Sequence, residues 1–151
     1  MSLSVEIVSW GEARPMLRAV RETVFLHEQR VPVEEEWDEH DSVCVHALAS
    51  DEHGAPIGTG RLLDDGHIGR MAVLAHARGR GVGAAILERL MMEAKHRGHK
   101  RLLLHAQTHA IEFYARFGFV AEGDEFIEAG IAHRRMVAEL TGPPWRVHSP
   151  K

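Results

Sequence analysis

The chain has 151 residues, 44% of them hydrophobic, a formal net charge of −4 and one cysteine, Cys44. That length and apolar content suit one domain with a real core. The acidic balance argues against a general nucleic-acid binder, and a lone cysteine excludes an internal disulfide and suits a reducing cytoplasm. Neither a signal-peptide core nor a membrane-length apolar run occurs, so a cytoplasmic protein with no membrane partner is expected.

Residues 4–9 read as a first strand, with Val5 and Ile7 facing inward. A helix should start between Gly11 and Pro15, since proline is tolerated in a first turn. Leu17, Val20 and Val24 give it one apolar stripe through about His27. Residues 28–41 are an acidic segment broken by Pro32 and Trp37, read as a solvated loop or short helix. Residues 43–50 alternate as a strand, 51–54 make a hairpin turn and 56–63 are its partner. A second tight turn at 64–66 and a strand at 67–74 complete an antiparallel meander. A helix over 82–97, with Val82, Ile86, Leu90 and Ala94 on one face, stops at Gly98. A short apolar strand at 101–106 and a short helix at 109–116 follow. Strands at 119–121 and 131–140 close the fold around a loop at 122–130, and 141–151 form an irregular tail beyond a single domain over 1–140. This order predicts an α/β (α+β) fold, with a central mixed, mostly antiparallel sheet and helices on both faces.

The most chemically loaded stretch is Arg78-Gly79-Arg80-Gly81-Val82-Gly83-Ala84, where a strand hands over to a helix. Glycine permits positive φ and close approach of the backbone to a ligand. The free amides and dipole of a helix start favour an anion. No Lys-Ser/Thr follows, so this is not a nucleoside-triphosphate P-loop, and the G-x-G-x-G spacing is not the dinucleotide fingerprint. The bland alternative is a tight turn with solvated arginines.

Arg78-x-x-Gly81-x-Gly83, after Arg70-Met71-Ala72-Val73, resembles the coenzyme A pyrophosphate-binding motif of the GNAT superfamily of N-acetyltransferases. Gln107-x-x-Ala110-x-x-Phe113-Tyr114-x-x-x-Gly118-Phe119 is similar to the second half of that pattern, with glutamine where asparagine usually stands. The resemblance covers roughly 3–140. It implies a GNAT-type acyl-CoA N-acyltransferase fold whose fourth and fifth strands splay apart. It also implies acetyl transfer from acetyl-CoA to a primary amine by direct attack through a tetrahedral intermediate. On this likeness the backbone of Met71, Ala72 and Val73 holds the pantetheine arm and the forming oxyanion, and residues Arg78 to Ala84 hold the pyrophosphate. Gln107 and Phe113 complete the coenzyme set, and Tyr114 protonates the departing thiolate.

A lysine-like amine has a pKa near ~10.4, so only about one molecule in ~10³ is nucleophilic at neutral pH and a base is needed. Glu28, at the end of the first helix, is the first candidate. Glu34, Glu35 and His46 are weaker ones, and each also reads as solvated surface. Val24-Phe25-x-x-Glu28-Gln29-x-Val31-Pro32-x-Glu34-Glu35-x-x-Asp38, then His46, then Gly130-Ile131-x-His133-x-x-Met136, resembles the ElaA-like branch of the superfamily. That likeness leaves the acceptor open, a small-molecule or peptide amine, and points to Glu34, His46 and His133 as its binding residues. The acid-rich segment favours a cationic acceptor. The pairs His96/His99 and His105/His109 lack H-E-x-x-H or Cys/His company, so no metal is expected. Two rival readings are a coenzyme A-binding module without turnover and a nucleic-acid binder using Arg78, Arg80, Arg97 and Lys100. The oligomeric state stays open, a homodimer included.

Overall fold

The computed structural model describes residues 2–140. β1 (Leu3–Val8) leads into α1 (Trp10–Arg21), whose start is closed by a capping box: Glu12 N–H donates to Ser9 Oγ at 3.1 Å and Ser9 N–H to Glu12 Oε1 at 2.8 Å. The helix breaks at Ala13 (φ −128°), which leaves Pro15 in the first turn of the continuing segment, where its missing N–H costs nothing. It then passes into a π-helical stretch, Glu22–Glu28, rather than running on as a regular helix to His27. Here Gln29 N–H reaches back to Val24 C=O at 2.9 Å. The wider turn keeps Val24 and Phe25 buried with Val20 against Ala72.

β2 (Val45–Asp51), β3 (Pro56–Leu62) and β4 (His67–Val73) form the expected meander, and α3 (Val82–His96) crosses back over it. Between β1 and β2 lies the short α2 (Val33–Glu36). β5 (Arg101–Gln107), α4 (Ile111–Ala115), β6 (Val120–Glu128) and β7 (Ile131–Glu139) complete one seven-stranded sheet of order β1-β2-β3-β4-β5-β7-β6. Every neighbouring pair is antiparallel except β4 with β5. Of residues 122–130, expected as a loop, 122–128 are therefore strand and only 129–130 are a turn. β6 pairs with β7 up to Glu128↔Ile131, closed by a two-residue turn in which Ala129 (φ 52°) and Gly130 (φ 78°) are left-handed. Charged residues line β6 because it is the exposed edge of the sheet, where charge discourages further pairing. The tail expected over 141–151 lies outside the described residues.

Helices cover both faces of the meander. Alternate residues point to opposite faces, so Ala47 and Ala49 of β2 meet the α3 side of the core while Leu48 packs with Ala13 and Leu17 of α1. β3 carries glycine under α3 for a steric reason. A Cβ on Gly60 would lie 2.9 Å from Ile86 Cγ2 and 2.9 Å from Leu90 Cδ1. Beyond β4 the α3 face continues with Leu102, Leu104 and Ala106 of β5, packed with Tyr114, Phe117 and Phe119. On the opposite face β5, β7 and β6 present Gln107, His105, His133 and Phe126.

Candidate active site

β4 and β5 share only two register pairs, His67↔Leu103 and Ile68↔Leu104, and then diverge. A bulge in β4 adds to the opening. Thr59↔Ala72 and Arg61↔Gly69 are paired, which leaves Arg70 and Met71 against the single residue Gly60. Arg70 takes φ 50°, a left-handed value rare for a side chain of its size. Leu74 N–H bonds Ile57 C=O on β3 at 2.9 Å. By strand alternation Val73 then turns its N–H and C=O toward the opening.

At the end of β4 stands the glycine loop. Gly79 (φ 77°) and Gly81 (φ 83°) are both left-handed, and a Cβ built on either meets nothing within 4 Å. Gly81 is the N-cap of α3 and no side chain caps the helix, so the free amides of its first turn are not closed by the protein's own side chains. Gly83 lies under Phe113, whose Cζ would be 3.6 Å from an added Cβ. A left-handed loop, open space and an uncapped helix start together fit a phosphate-bearing ligand.

Arg78 is turned away from that cradle. Its Nε donates to Val73 C=O at 2.8 Å, and its two terminal nitrogens grip the Glu28 carboxylate at 2.7 Å each. The hydrogen bond from Arg78 holds the Glu28 carboxyl below its ordinary range. Glu28 is thus an ionised anchor between the π-helical stretch and β4, which makes it a poorer base than the sequence suggests. Gln107, at the end of β5, donates to Gln29 Oε1 at 3.0 Å, so one amide pair spans the opening beside Glu28.

Tyr114 is buried, edge-on to Phe113 with ring centroids 5.0 Å apart and to Phe119 at 6.0 Å. Burial pushes its phenol up to about 12, so it keeps its proton throughout the neutral range.

The acidic segment is not the solvated run expected of it. Glu36 and Asp41 are buried, and three arginines neutralise the segment. Arg21 donates to Glu36 at 2.6 Å and Asp41 at 2.7 Å. Arg61 donates to Asp38 at 2.8 Å and to Asp41 at 2.8 Å. Arg70 donates to the Glu36 carbonyl at 3.0 Å and to Asp38 at 3.3 Å. Burial raises the Asp41 pKa, but Arg21 and Arg61 outweigh it and hold the carboxyl low. Of the segment's acids Glu28, Glu34, Glu35 and Glu39 are exposed, and of these Glu28 is paired with Arg78. The signal was present as three arginines in apolar surroundings, but one-dimensional spacing does not pair them with acids 15 to 34 residues away.

The three expected acceptor-binding residues are not brought together. Glu34 is exposed on α2. His46 is buried on β2, its Nε2 2.9 Å from Asp41 C=O and its ring 5.3 Å from that of Trp10, so it belongs to the interior network. His133 lies on β7 across from Gln107, beside the opening. Asp41, Cys44 and His46 bring potential ligand atoms within 4.8 Å of one another. Two guanidiniums already bind Asp41, and burial pushes the Cys44 thiol up to about 11, so this trio does not suit a cation. In the basic patch, Arg78 is tied to Glu28 and Arg97 to Glu93 at 2.8 Å. Among the described residues no helix is long and apolar enough to cross a membrane.

A sheet parted between its parallel strands, with an uncapped glycine loop at the mouth, defines an acyl-CoA N-acyltransferase fold. An acyl-CoA N-acyltransferase from Pseudomonas aeruginosa superposes with a TM-score of 0.81 at 31% identity, over 91% of this chain and 99% of that one. Escherichia coli ElaA, the branch implied by the N-terminal segment, superposes with a TM-score of 0.81 at 26% identity, over 90% and 99% of the two chains. The uncharacterized N-acetyltransferase YjcF of Bacillus subtilis (strain 168) is 40% identical over 124 residues, 80% of this chain and 88% of its own. The model of the acetyltransferase (GNAT) domain matches residues 15–140, and the chain belongs to that family.

Proposed function

We propose that the protein transfers an acetyl group from acetyl-CoA to a primary amine. The observation that carries the reading is the junction of parted strands and glycine loop: Val73 turns an unladdered N–H into the opening while its C=O takes Arg78 Nε, and a few residues further on an uncapped helix start offers free amides. An amide-bearing arm can pair with a strand edge as an added strand would, while main-chain amides take its diphosphate. The bound acetyl-CoA supplies an activated thioester. The residues from Arg80 to Ala84 hold its diphosphate, and Met71 to Val73 line its arm. Gln107 and Phe113 close the far wall.

Tyr114 serves as the proton donor to the leaving sulfur. Burial keeps the phenol protonated at neutral pH, so the proton is in place when a thiolate forms beside it. Glu28 and Arg78 act as a clasp that fixes the π-helical stretch against β4, rather than as base and phosphate ligand. Two measurements test the reading: acetyl-CoA uptake by calorimetry, and thiol release with a panel of primary amines. Tyr114→Phe should lower kcat by about 10²-fold and leave acetyl-CoA affinity within about twofold. No acetyl-CoA uptake, or equal loss of turnover and affinity in Tyr114→Phe, would count against it.

A further inference from the structure

The face of β5, β7 and β6 opposite α3 carries a constellation next to the opening. His133 is only 8% exposed, and its Nδ1 lies 2.7 Å from Ile131 C=O. A carbonyl only accepts, so Nδ1 carries a proton, and in the neutral form of the ring the lone pair lies at Nε2. That Nε2 has no hydrogen bond among the described residues. Glu128 Oε1 lies 3.9 Å from it. The same carboxylate accepts from His105 Nδ1 at 3.2 Å, which fixes its position. Two acceptors, an imine nitrogen and a carboxylate oxygen, thus face each other across a gap that neither can close.

What fits there is one atom that donates twice. A nitrogen about 2.8 Å from both atoms, which are 3.9 Å apart, subtends roughly 90° between them, close to the spread of two N–H bonds. The walls favour a cation. Phe126 stacks on His133 with centroids 5.9 Å apart and meets His105 edge-on at 5.0 Å, and aromatic faces attract ammonium groups. The nearby arginines are engaged elsewhere: Arg135 with Glu122 at 3.2 Å, Arg134 with Gly123 C=O at 2.7 Å. The seat also lies where an acceptor must arrive, since His133 pairs in register with Gln107, the β5 residue that spans the opening to Gln29.

We propose that Glu128 and His133 seat the primary ammonium group of the acceptor, and that His133 Nε2 removes its proton. The inference rests on the transferase reading above. In the step, an N–H bond of the ammonium breaks and an Nε2–H bond forms. The electron pair stays on the amine nitrogen and becomes the nucleophile. The imidazolium is balanced by Glu128 and later returns the proton to solvent. The substrate class is an alkylamine, the primary amine of the transferase reading above; tertiary and quaternary ammonium groups lack the two N–H donors that the gap requires.

The test uses the full chain and n-butylammonium as probe, followed by the histidine ring resonances in proton–carbon NMR spectra. n-Butylammonium should shift the His133 ring signals saturably, while tetramethylammonium, a cation with no N–H, should leave them in place. Glu128→Gln should weaken that response about tenfold and raise KM for the amine by a like factor, with KM for acetyl-CoA unchanged. His133→Asn keeps a donor for Ile131 C=O and removes the lone pair; it should lower kcat by about 10²-fold. If both cations act alike, if neither moves His133, or if both variants turn over amines as the parent does, the seat is refuted while the transferase reading stands. If n-butylammonium shifts His133 but acetyl-CoA is not taken up, the seat stands and the transferase reading falls.

Discussion

At the scale of single residues, Glu28 shows what a sequence leaves out. Its place at a helix end beside a coenzyme motif made it the first candidate base, and nothing in the string of letters reveals Arg78, 50 positions on, gripping both carboxylate oxygens. The hydrogen bond from Arg78 lowers its pKa, so Glu28 is ionised throughout the neutral range and contributes no proton step there. Glu28→Gln should therefore leave the shape of the kcat profile between about pH 6 and 9 unchanged and alter acetyl-CoA affinity by a few-fold; loss of the acidic limb of that profile would restore Glu28 as the base. The left-handed turns at Gly79 and Gly81 were legible because their geometry is local, with φ values only glycine adopts freely. His133 was legible only as a candidate, since its tautomer depends on a carbonyl two residues away and its partner Glu128 on a hairpin turn.

At the scale of elements, periodicity gave the meander and α3 nearly residue for residue, because alternating burial and glycine turns are encoded within a few positions. Two elements escaped it. The π-helical stretch keeps an apolar stripe that a 3.6-residue period also explains. The edge strand β6 carries Glu122, Gly123, Asp124 and Glu125, a composition that reads as loop and here marks an unpaired border. The glycines of β3 belong to packing rather than to turns. A methyl at Gly60 would stand 2.7 Å from Met71 Sδ and 2.9 Å from both Ile86 and Leu90. Gly60→Ala should cost about 1–3 kcal/mol in denaturant unfolding. Because Met71 lies in the β4 bulge, it should also weaken acetyl-CoA binding; a silent substitution would mean α3 is free to lift.

At the scale of the molecule, the arginine-rich interior sets the response to acid. The hydrogen bond from Arg61 is the main force holding the Asp38 carboxyl at about 2, below its usual 3.8. A depressed carboxyl stabilises the fold above its unfolded value and loses that contribution as pH falls through the folded one. The loss from Asp38 should fall between about pH 4 and pH 2. Glu36 works in the opposite sense, since burial raises its pKa and its ionisation opposes folding as pH rises. Thermal unfolding followed against pH should show Tm dropping over the Asp38 window, and Asp38→Asn should flatten the drop while costing about 1–2 kcal/mol at neutral pH. An unchanged slope would show that the network titrates as a block. Pairing of Glu28, Glu36, Asp38 and Asp41 with arginines also weakens the acidic field expected to steer cations, shifting the choice of acceptor toward close contacts.

Only two rungs join the parallel strands at the middle of the sheet, so beside the core shared under α3 the sheet itself divides into two leaves bound along a short spine. One leaf holds the β1–β4 meander with α1 and α3, the other β5, β7 and β6 with α4. A molecule wedged between them would stitch the leaves together. Coenzyme A should then slow amide exchange most at Leu103, whose N–H reaches Gly66 C=O at 3.0 Å across that spine, and far less at the outer hairpin.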